Sequence, residues 1–597
     1  MNNTRLSGEQ SIIALIMVGF IVLALGFSLG PIFEAPDEIE HYRYVRQVQR
    51  VTPLPNPAGQ PFGQYHQAPL YYWLLQPLAL LVPDDPDFEQ IDGRTNPNHG
   101  YRETLAGNDN KNVYLHTRAE GFPYTDSPTA RAVHVMRLLS VVFGALTVWV
   151  CYRIVMLLWP HHPHRRVLAV ALVAFFPQFI YMSAVINNDG LSFLIATLTL
   201  YLLLYQHQHE GSWRVAVALG MVLGAGILTK SSLLVLALPV GIATLLDRRL
   251  WPYATLTLIL TLLIGGWWYA RNQLLYQDWA GTASMFAMWE GQAVRGGQFA
   301  FDVGLRSAPY AYGKLWARFG YGAVSVAPWL YRLFDGMVLI ASVGLLGRMI
   351  ALVRQRRLNR VLIEQIVIVT VFALTWVLWL IVSASAATAG NQGRYLLGGI
   401  ATIGIFLALG ISFWIALLPQ RARNVLFPAL NFALFLLAGY ILLGHFFPAY
   451  RTVPMPDQID RPINLRYDNH ALLLGTAPAE WQARPGEAIT IELYWQALQP
   501  ASSTLQMYLH AIDGEQLLWR DSVPGNGHRP ADDWQAGERW VERFVITIPP
   551  DAVPDTRYVV VAGFYDPVTG QSPEAFDGLG NNLSNTPMIA YLTVMGE

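Results

Sequence analysis

Two neighbouring carboxylates and a histidine follow the first apolar run of the chain. They are Asp37 and Glu38 in "PIFEAPDEIEHYRYV" (31–45), with His41 one turn further on. A carboxylate placed where lipid meets water can act as a general base or as a ligand for a hard cation. Pro36 and the two acids are also ordinary helix-start signals. The two readings are compatible, because a helix N-terminus keeps a nearby carboxylate ionised. In a helix, Asp37 and His41 share a face at i, i+4, whereas Asp37 and Glu38 point about 100° apart. That geometry favours Asp37 as the base and leaves Glu38 as the alternative.

A third acid, Asp189, lies in "INNDG" (186–190), with Asn188 beside it as a candidate for positioning substrate. Asn and Asp before Gly also form a turn by themselves. If Asp37 and Asp189 meet, they can share a divalent cation such as Mg or Mn, or divide base and positioning roles. Three cations accompany the acids: Lys230 in "GAGILTKSSLLVL", Arg394 after "GNQG" and Arg271 in "WWYARNQLLY". Such residues can snorkel to lipid headgroups. They can also hold a phosphate, Arg as a bidentate fork and Lys as a point charge. "YHQAPLYYWLL" (65–75) adds His66 and Tyr71 ahead of a short apolar run ending near Val82. That run is too short to span, and its aromatics suit an interfacial helix.

The elements that must position these residues are largely apolar. The chain has 597 residues, 53% hydrophobic and 14% charged, with mean hydropathy +0.31. Soluble proteins carry about 25% charged residues, so the composition is that of a polytopic membrane protein. A net charge of −1 excludes nucleic acid as an expected partner. The single Cys151 excludes an internal disulfide framework and any cysteine metal cluster. The first apolar run, about 11–30, has no small-residue cleavage site after it and reads as a retained anchor.

Eleven spans are expected, near 11–30, 134–158, 166–186, 190–207, 213–229, 231–246, 252–270, 335–352, 362–386, 395–418 and 424–447. The basic clusters "HHPHRR" (161–166), Arg214, "DRR" (247–249), "RMIALVRQRRLNR" (348–360) and "QRAR" (420–423) then all fall on one side. By the positive-inside rule that side is cytoplasmic. The long loop of about 32–133, the loop of about 271–334 and everything after 447 face the other way. So do Asp37, Asp189, Lys230 and Arg394. Past a linker at 448–462, the tail 463–597 shows short runs of period two: "AITIELYWQAL", "TLQMYLHAID", "RWVERFVITIP" and "RYVVVAGFYD". Turn signals separate them, and the pattern predicts an extracytoplasmic antiparallel β-sandwich.

Taken in order and on one side, "APDEIEHYRYV", "HQAPLYYWLL", "NNDG" and the late "QGRY" turn (392–395) resemble the GT-C superfamily of integral-membrane glycosyltransferases. The likeness covers about residues 10–447. It is nearest to the bacterial protein-mannosyltransferase-like and aminoarabinose-transferase-like branches with a Pro-Asp-Glu first loop. The resemblance implies a helical catalytic domain over 1–447. It further implies transfer of a sugar, with inversion, from a polyprenyl-phosphate donor to a glycan, lipid or protein acceptor. The reaction would occur at the extracytoplasmic face of a bacterial inner membrane, with the N-terminus cytoplasmic. It assigns the first-loop acid, Asp37 or Glu38, as base or ligand and Asp189 as the second acid. None of the motifs that carry the likeness contains a clear Asp-x-Asp pair, which leaves the cation open. Three other readings of the same residues are a transporter or flippase of lipid-linked sugars, a transferase of oligosaccharide blocks, and a glycan-binding module without activity.

Overall fold

The computed structural model describes residues 8–56, 63–100, 109–209, 211–281, 283, 285, 287, 299–356, 359–387, 390–513 and 515–596. The first run forms α1 (Gly8–Ser28), and the chain then turns into three short helices, α2 (Glu38–Arg50), α3 (Leu70–Ala79) and α4 (Phe88–Asp92). The helical body follows as α5 (Pro128–Leu158), α6 (Pro163–Ala174), α7 (Pro177–Met182), α8 (Asp189–Gln208), α9 (Trp213–Ile227), α10 (Ala237–Leu246), α11 (Trp251–Thr261) and α12 (Trp267–Tyr276). After α13 (Phe301–Trp316) and the small hairpin β1 (Arg318–Phe319) and β2 (Val324–Ser325) come α14 (Pro328–Arg354), α15 (Arg360–Ala386), α16 (Ile400–Ala416) and α17 (Gln420–Ile441).

Among the described residues, eight helices are long and apolar enough to cross a membrane. They match eight of the expected spans. The other three are shorter or broken. The stretch expected at 166–186 ends its first helix at Ala174 and restarts at Pro177, because proline has no N–H to give to the preceding turn. The stretches at 213–229 and 231–246 are short apolar helices, the second opening as a tight turn over Ser231–Leu236. The bundle is packed through small residues. A Cβ on Gly344 of α14 would stand 2.1 Å from the carbonyl oxygen of Gly410 on α16, and one on Gly410 would stand 1.9 Å from that of Ala341. Where lipid supplies no hydrophobic drive between helices, such backbone proximity is how they gain contact.

The tail folds as the sandwich that its period-two pattern predicts. One sheet orders β5 (Trp481–Ala483), β12 (Met588–Val594), β10 (Arg557–Tyr565), β7 (Gln506–Asp513) and β8 (Glu515–Ser522). The other orders β11 (Ala575–Phe576), β3 (Arg461–Tyr467), β4 (Ala471–Ala477), β6 (Ala488–Ala497) and β9 (Arg539–Thr547). All pairings are antiparallel except β5 with β12. Trp481, Trp495, Trp540, Tyr467 and Phe564 fill the space between the sheets.

The sandwich is bonded to the segment between α1 and α5. Asn110 donates its backbone N–H to the Asn526 carbonyl at 2.9 Å, and the Asn112 side-chain amide donates to the Gly527 carbonyl at 2.7 Å. Arg94 forms a two-pronged pair with Asp532 at 2.6 and 2.9 Å, and Arg118 pairs with Glu538. The receiving turn is stiffened from inside by Glu542, which accepts from the Gly525 and Asn526 N–H groups at 2.6 and 2.7 Å. Burial pushes the Glu542 carboxyl up to about 8.

Candidate active site

The four residues singled out at the non-basic end of the bundle form one row. Asp37 stands just before α2, Arg394 and Asp189 at the starts of the last-turn segment 393–399 and of α8, and Lys230 just after α9. An Asp37 carboxylate oxygen lies 2.5 Å from an Arg394 terminal nitrogen. Arg394 Nε lies 3.6 Å from Asp189 Oδ2, and Lys230 Nζ lies 2.5 Å from Asp189 Oδ1. The signs alternate along the row and cancel. Arg394 Nε and Asp189 Oδ2 are both buried without a hydrogen bond, since 3.6 Å is too long for one. Tyr395 lies flat against both cations, its ring centre 5.8 Å from Arg394 and 5.9 Å from Lys230.

Asp37 is the open member. Its side chain is 27% exposed, against 5% for Asp189 and 6% for Arg394. Its backbone takes the left-handed conformation at φ 64°, rare for a non-glycine residue and common in functional loops. Burial would raise the Asp37 carboxyl, but Arg394 beside it, and then Lys230, hold it below the ordinary carboxylate range. It is therefore ionised at neutral pH. The loop carrying it is pinned at Pro36, whose carbonyl accepts from the Asn187 amide at 3.2 Å and from Arg394 at 3.4 Å. Asn187 also accepts from the Asp189 N–H at 2.9 Å. The "APDE" loop and the "NNDG" turn, about 150 positions apart in the chain, are thus tied by one asparagine.

Glu38, the alternative base, is sealed instead. It is fully buried and faces Arg137 of α5, with bonds of 2.8 and 2.6 Å. It also accepts from the backbone N–H of Phe33 and of Ile186, each at 2.9 Å. Arg137 spends its remaining donors on the carbonyls of Ser28, Gly30 and Pro31. With both oxygens taken, Glu38 staples the loop to α5 and to the segment before α8.

The positioning candidates surround the row. His41 receives the helical bond role expected of it, its N–H donating to the Asp37 carbonyl at 3.0 Å, and its Nδ1 lies 2.8 Å from the Tyr72 hydroxyl. Burial holds the imidazole down at about 3, so it is neutral. His66 is buried beside Gln67, and burial, then Lys230, lowers it to about 4. Tyr71 packs edge-on to His41, 3.4 Å from Ser140. Asn188 donates to the Gln67 side chain at 3.3 Å and to the Thr229 carbonyl at 3.2 Å, bracing the turn rather than opening toward solvent. Arg271 stands apart: it bonds the Leu54 and Pro55 carbonyls and the Tyr276 hydroxyl and stacks on Trp268.

Several residues were not picked out from the sequence. Tyr395 follows Arg394 in "QGRY" and was legible as its neighbour. Tyr321 takes the Asp37 N–H at 3.3 Å, and nothing local marks it. Glu40 borders the row with one carboxylate oxygen unpartnered. Burial, then the charge of Asp37, raises it to about 7. Glu34, earlier in the same loop, accepts from the N–H groups of Val113 and Tyr114 and from His116 at 2.8 Å. His116 also bonds Glu120 at 2.7 Å and is raised to about 10 by the two acids against the opposing effect of burial.

The donor set does not fit a divalent cation between Asp37 and Asp189. Each carboxylate already faces a cationic side chain, and among the described residues no group of three or more His, Cys, Asp or Glu is placed to hold a metal. An ion there would sit among Lys230 and Arg394.

Residues 131–269 match the family model of dolichyl-phosphate-mannose-protein mannosyltransferase. That segment carries Arg137, Asp189 and Lys230, while Asp37 and Arg394 lie outside it. No curated protein matches the sequence. Two solved structures of ArnT from Cupriavidus metallidurans are similar at 14% identity. The apo state gives a TM-score of 0.40 over 69% of this chain and 60% of that one; the state bound to undecaprenyl phosphate gives 0.41 over 72% and 64%. The chain thus spans less than two thirds of the length of the ArnT structures it matches.

Proposed function

We propose that the protein is a membrane glycosyltransferase that moves a sugar from a polyprenyl-phosphate donor to an acceptor hydroxyl. The observation that carries this reading is the row Asp37–Arg394–Asp189–Lys230, with its most exposed member a carboxylate and its two cations on either side of Asp189. The family match over 131–269 supports the choice of donor.

In this mechanism the donor phosphate settles against Arg394 and Lys230. Both are pre-positioned by Asp189, so little reorganisation is needed as charge develops on the departing phosphate. The acceptor hydroxyl attacks the anomeric carbon as its bond to the phosphate oxygen breaks. The hydroxyl proton passes to Asp37, and the polyprenyl phosphate leaves as the anion. One displacement of this kind inverts the anomeric centre. Arg394 also sets the strength of the base. While it bonds Asp37 it keeps the carboxylate a weak base, and a phosphate that draws Arg394 away strengthens it when substrate is present. No step is routed through a metal. The active face is extracytoplasmic and the basic loops cytoplasmic, in a bacterial inner membrane.

The test is transfer by the purified protein from a panel of radiolabelled polyprenyl-phosphate sugars, single and oligomeric, to membrane acceptors. Asp37→Asn is expected to lower turnover by about 10²–10⁴, the range of general-base catalysis. Asp189→Asn is expected to raise the KM for donor. Turnover should persist in a chelator. Wild-type rates in both variants would sink the mechanism. Passage of lipid-linked sugar across liposomes without product would make the protein a transporter, and a reporter showing the C-terminus in the cytoplasm would overturn the sidedness.

A further inference from the structure

The opposite end of the bundle holds cations of a different kind. There, α5 ends, α6 begins, and α14, α15 and α16 close around a cavity of about 420 Å³. Its wall is mostly apolar, including Leu352, Phe406 and Leu409, and its polar edge carries Arg165 and Arg348. The two guanidinium groups lie close enough to repel each other. Among the described residues neither has an acidic partner, and Arg165 Nε is buried with no hydrogen bond. Arg165 also lies over the face of Trp159, 5.5 Å from the ring centre. The adjacent Arg166 shows the contrast, being paired with Glu9 of α1. A general excess of basic residues on this side accounts for arginines in loops. It does not account for two half-buried arginines that line one apolar cavity, because a cation drawn partly out of water without an anion is disfavoured.

From the paired, unneutralised guanidinium groups Arg165 and Arg348 at the rim of this apolar cavity, we propose a binding site for an anionic phospholipid of the basic-side leaflet. The phosphodiester takes the fork of each arginine, which matches phosphate geometry. An acyl chain lies in the groove of Leu352, Phe406 and Leu409. The site is separated from the Asp37 row by most of α5, which at 1.5 Å per residue rises roughly 46 Å over its 31 residues. The proposal therefore does not rest on the glycosyltransferase reading.

Native mass spectrometry of the detergent-purified full chain, titrated with phosphatidylglycerol, phosphatidylcholine or inorganic phosphate, tests it. Wild type is expected to retain phosphatidylglycerol in preference to phosphatidylcholine and to bind inorganic phosphate weakly. Removing each charge should weaken phosphatidylglycerol roughly fivefold, and Arg165→Gln with Arg348→Gln together roughly thirtyfold, at about 1 kcal/mol for each basic residue. Arg423→Gln, whose guanidinium only caps the Leu418 carbonyl on the same side, should leave retention unchanged. Lys at both positions keeps charge and serves if the Gln variants fail to fold; it should restore most of the affinity. Equal binding of both lipids, equal loss in Arg423→Gln, or full saturation by inorganic phosphate alone would overturn the proposal.

Discussion

Asp37 and Glu38 are neighbours, and each faces an arginine, yet the two pairs do opposite jobs. Glu38 and Arg137 are both shut away from solvent, with every oxygen and most nitrogens engaged by backbone groups of the loop, α5 and the segment before α8. In the other pair Asp37 is partly exposed over a buried Arg394, whose Nε and the nearby Asp189 Oδ2 do not reach each other. A saturated buried pair can only hold structure; its members have no vacant valence for substrate. An under-saturated pair at an open edge can accept a proton or yield a cation to a phosphate. Asp37 takes the left-handed conformation just before α2 and Glu38 is the first residue of that helix, so the two carboxylates leave the backbone toward different environments.

The largest expected break in this comparison is catalytic. Asp37→Asn should lose about 10²–10⁴ in turnover while thermal unfolding barely moves, because the amide still fills the space and can bond the loop. Glu38→Gln should do the reverse. Leaving Arg137 buried with a half-strength partner is expected to remove about 3–5 kcal/mol of stability, read as a lower melting temperature, with near-normal turnover in the fraction that remains folded. If Glu38→Gln is stable but inactive, the two roles are exchanged.

A smaller effect should follow pH. His116 sits between Glu34 and Glu120 with its folded pKa raised to about 10 from an ordinary value near 6.5. A raised histidine contributes stability that is fully present below about 6.5 and is lost as pH climbs through about 10. The melting temperature should therefore fall on the alkaline side, and His116→Gln should flatten that fall. Since Glu34 lies three residues before Asp37, turnover should decline over the same window if the triad holds the loop in place. A flat profile in the wild type would remove His116 from the support of the site.

The smallest effect belongs to the sandwich contact. Arg94→Ala breaks one partly exposed pair with Asp532, worth about 0.2–1 kcal/mol. It should lower turnover only slightly. A large loss would mean that the sandwich steers the Asp37 loop through Asn112 and Glu34 more tightly than one ion pair suggests.

At the basic end of the bundle the comparison reappears with the sign of the argument reversed. Arg394 and Lys230 have acids within reach, so they are held ready for a reaction; among the described residues Arg165 and Arg348 have none, which is the ground for proposing a lipid anion there.

Much of this was legible in the chain itself. Long apolar runs set the helices, because a backbone in lipid must satisfy its own hydrogen bonds, and period-two alternation set the sandwich, because successive side chains of a strand face opposite ways. Sidedness put Asp37, Asp189, Lys230 and Arg394 at one end, because basic loops share a side. The sequence could not tell that Glu38 is sealed, since Arg137 lies 99 positions away and only packing brings it near. Nor could it show that Arg271 turns to the Leu54 carbonyl, that Tyr321 reaches the Asp37 loop, or that the acids meet cations rather than each other. Local chemistry determined which residues could react. Tertiary structure decided which of them have an unfilled valence, because saturation is a property of neighbours that only the fold supplies.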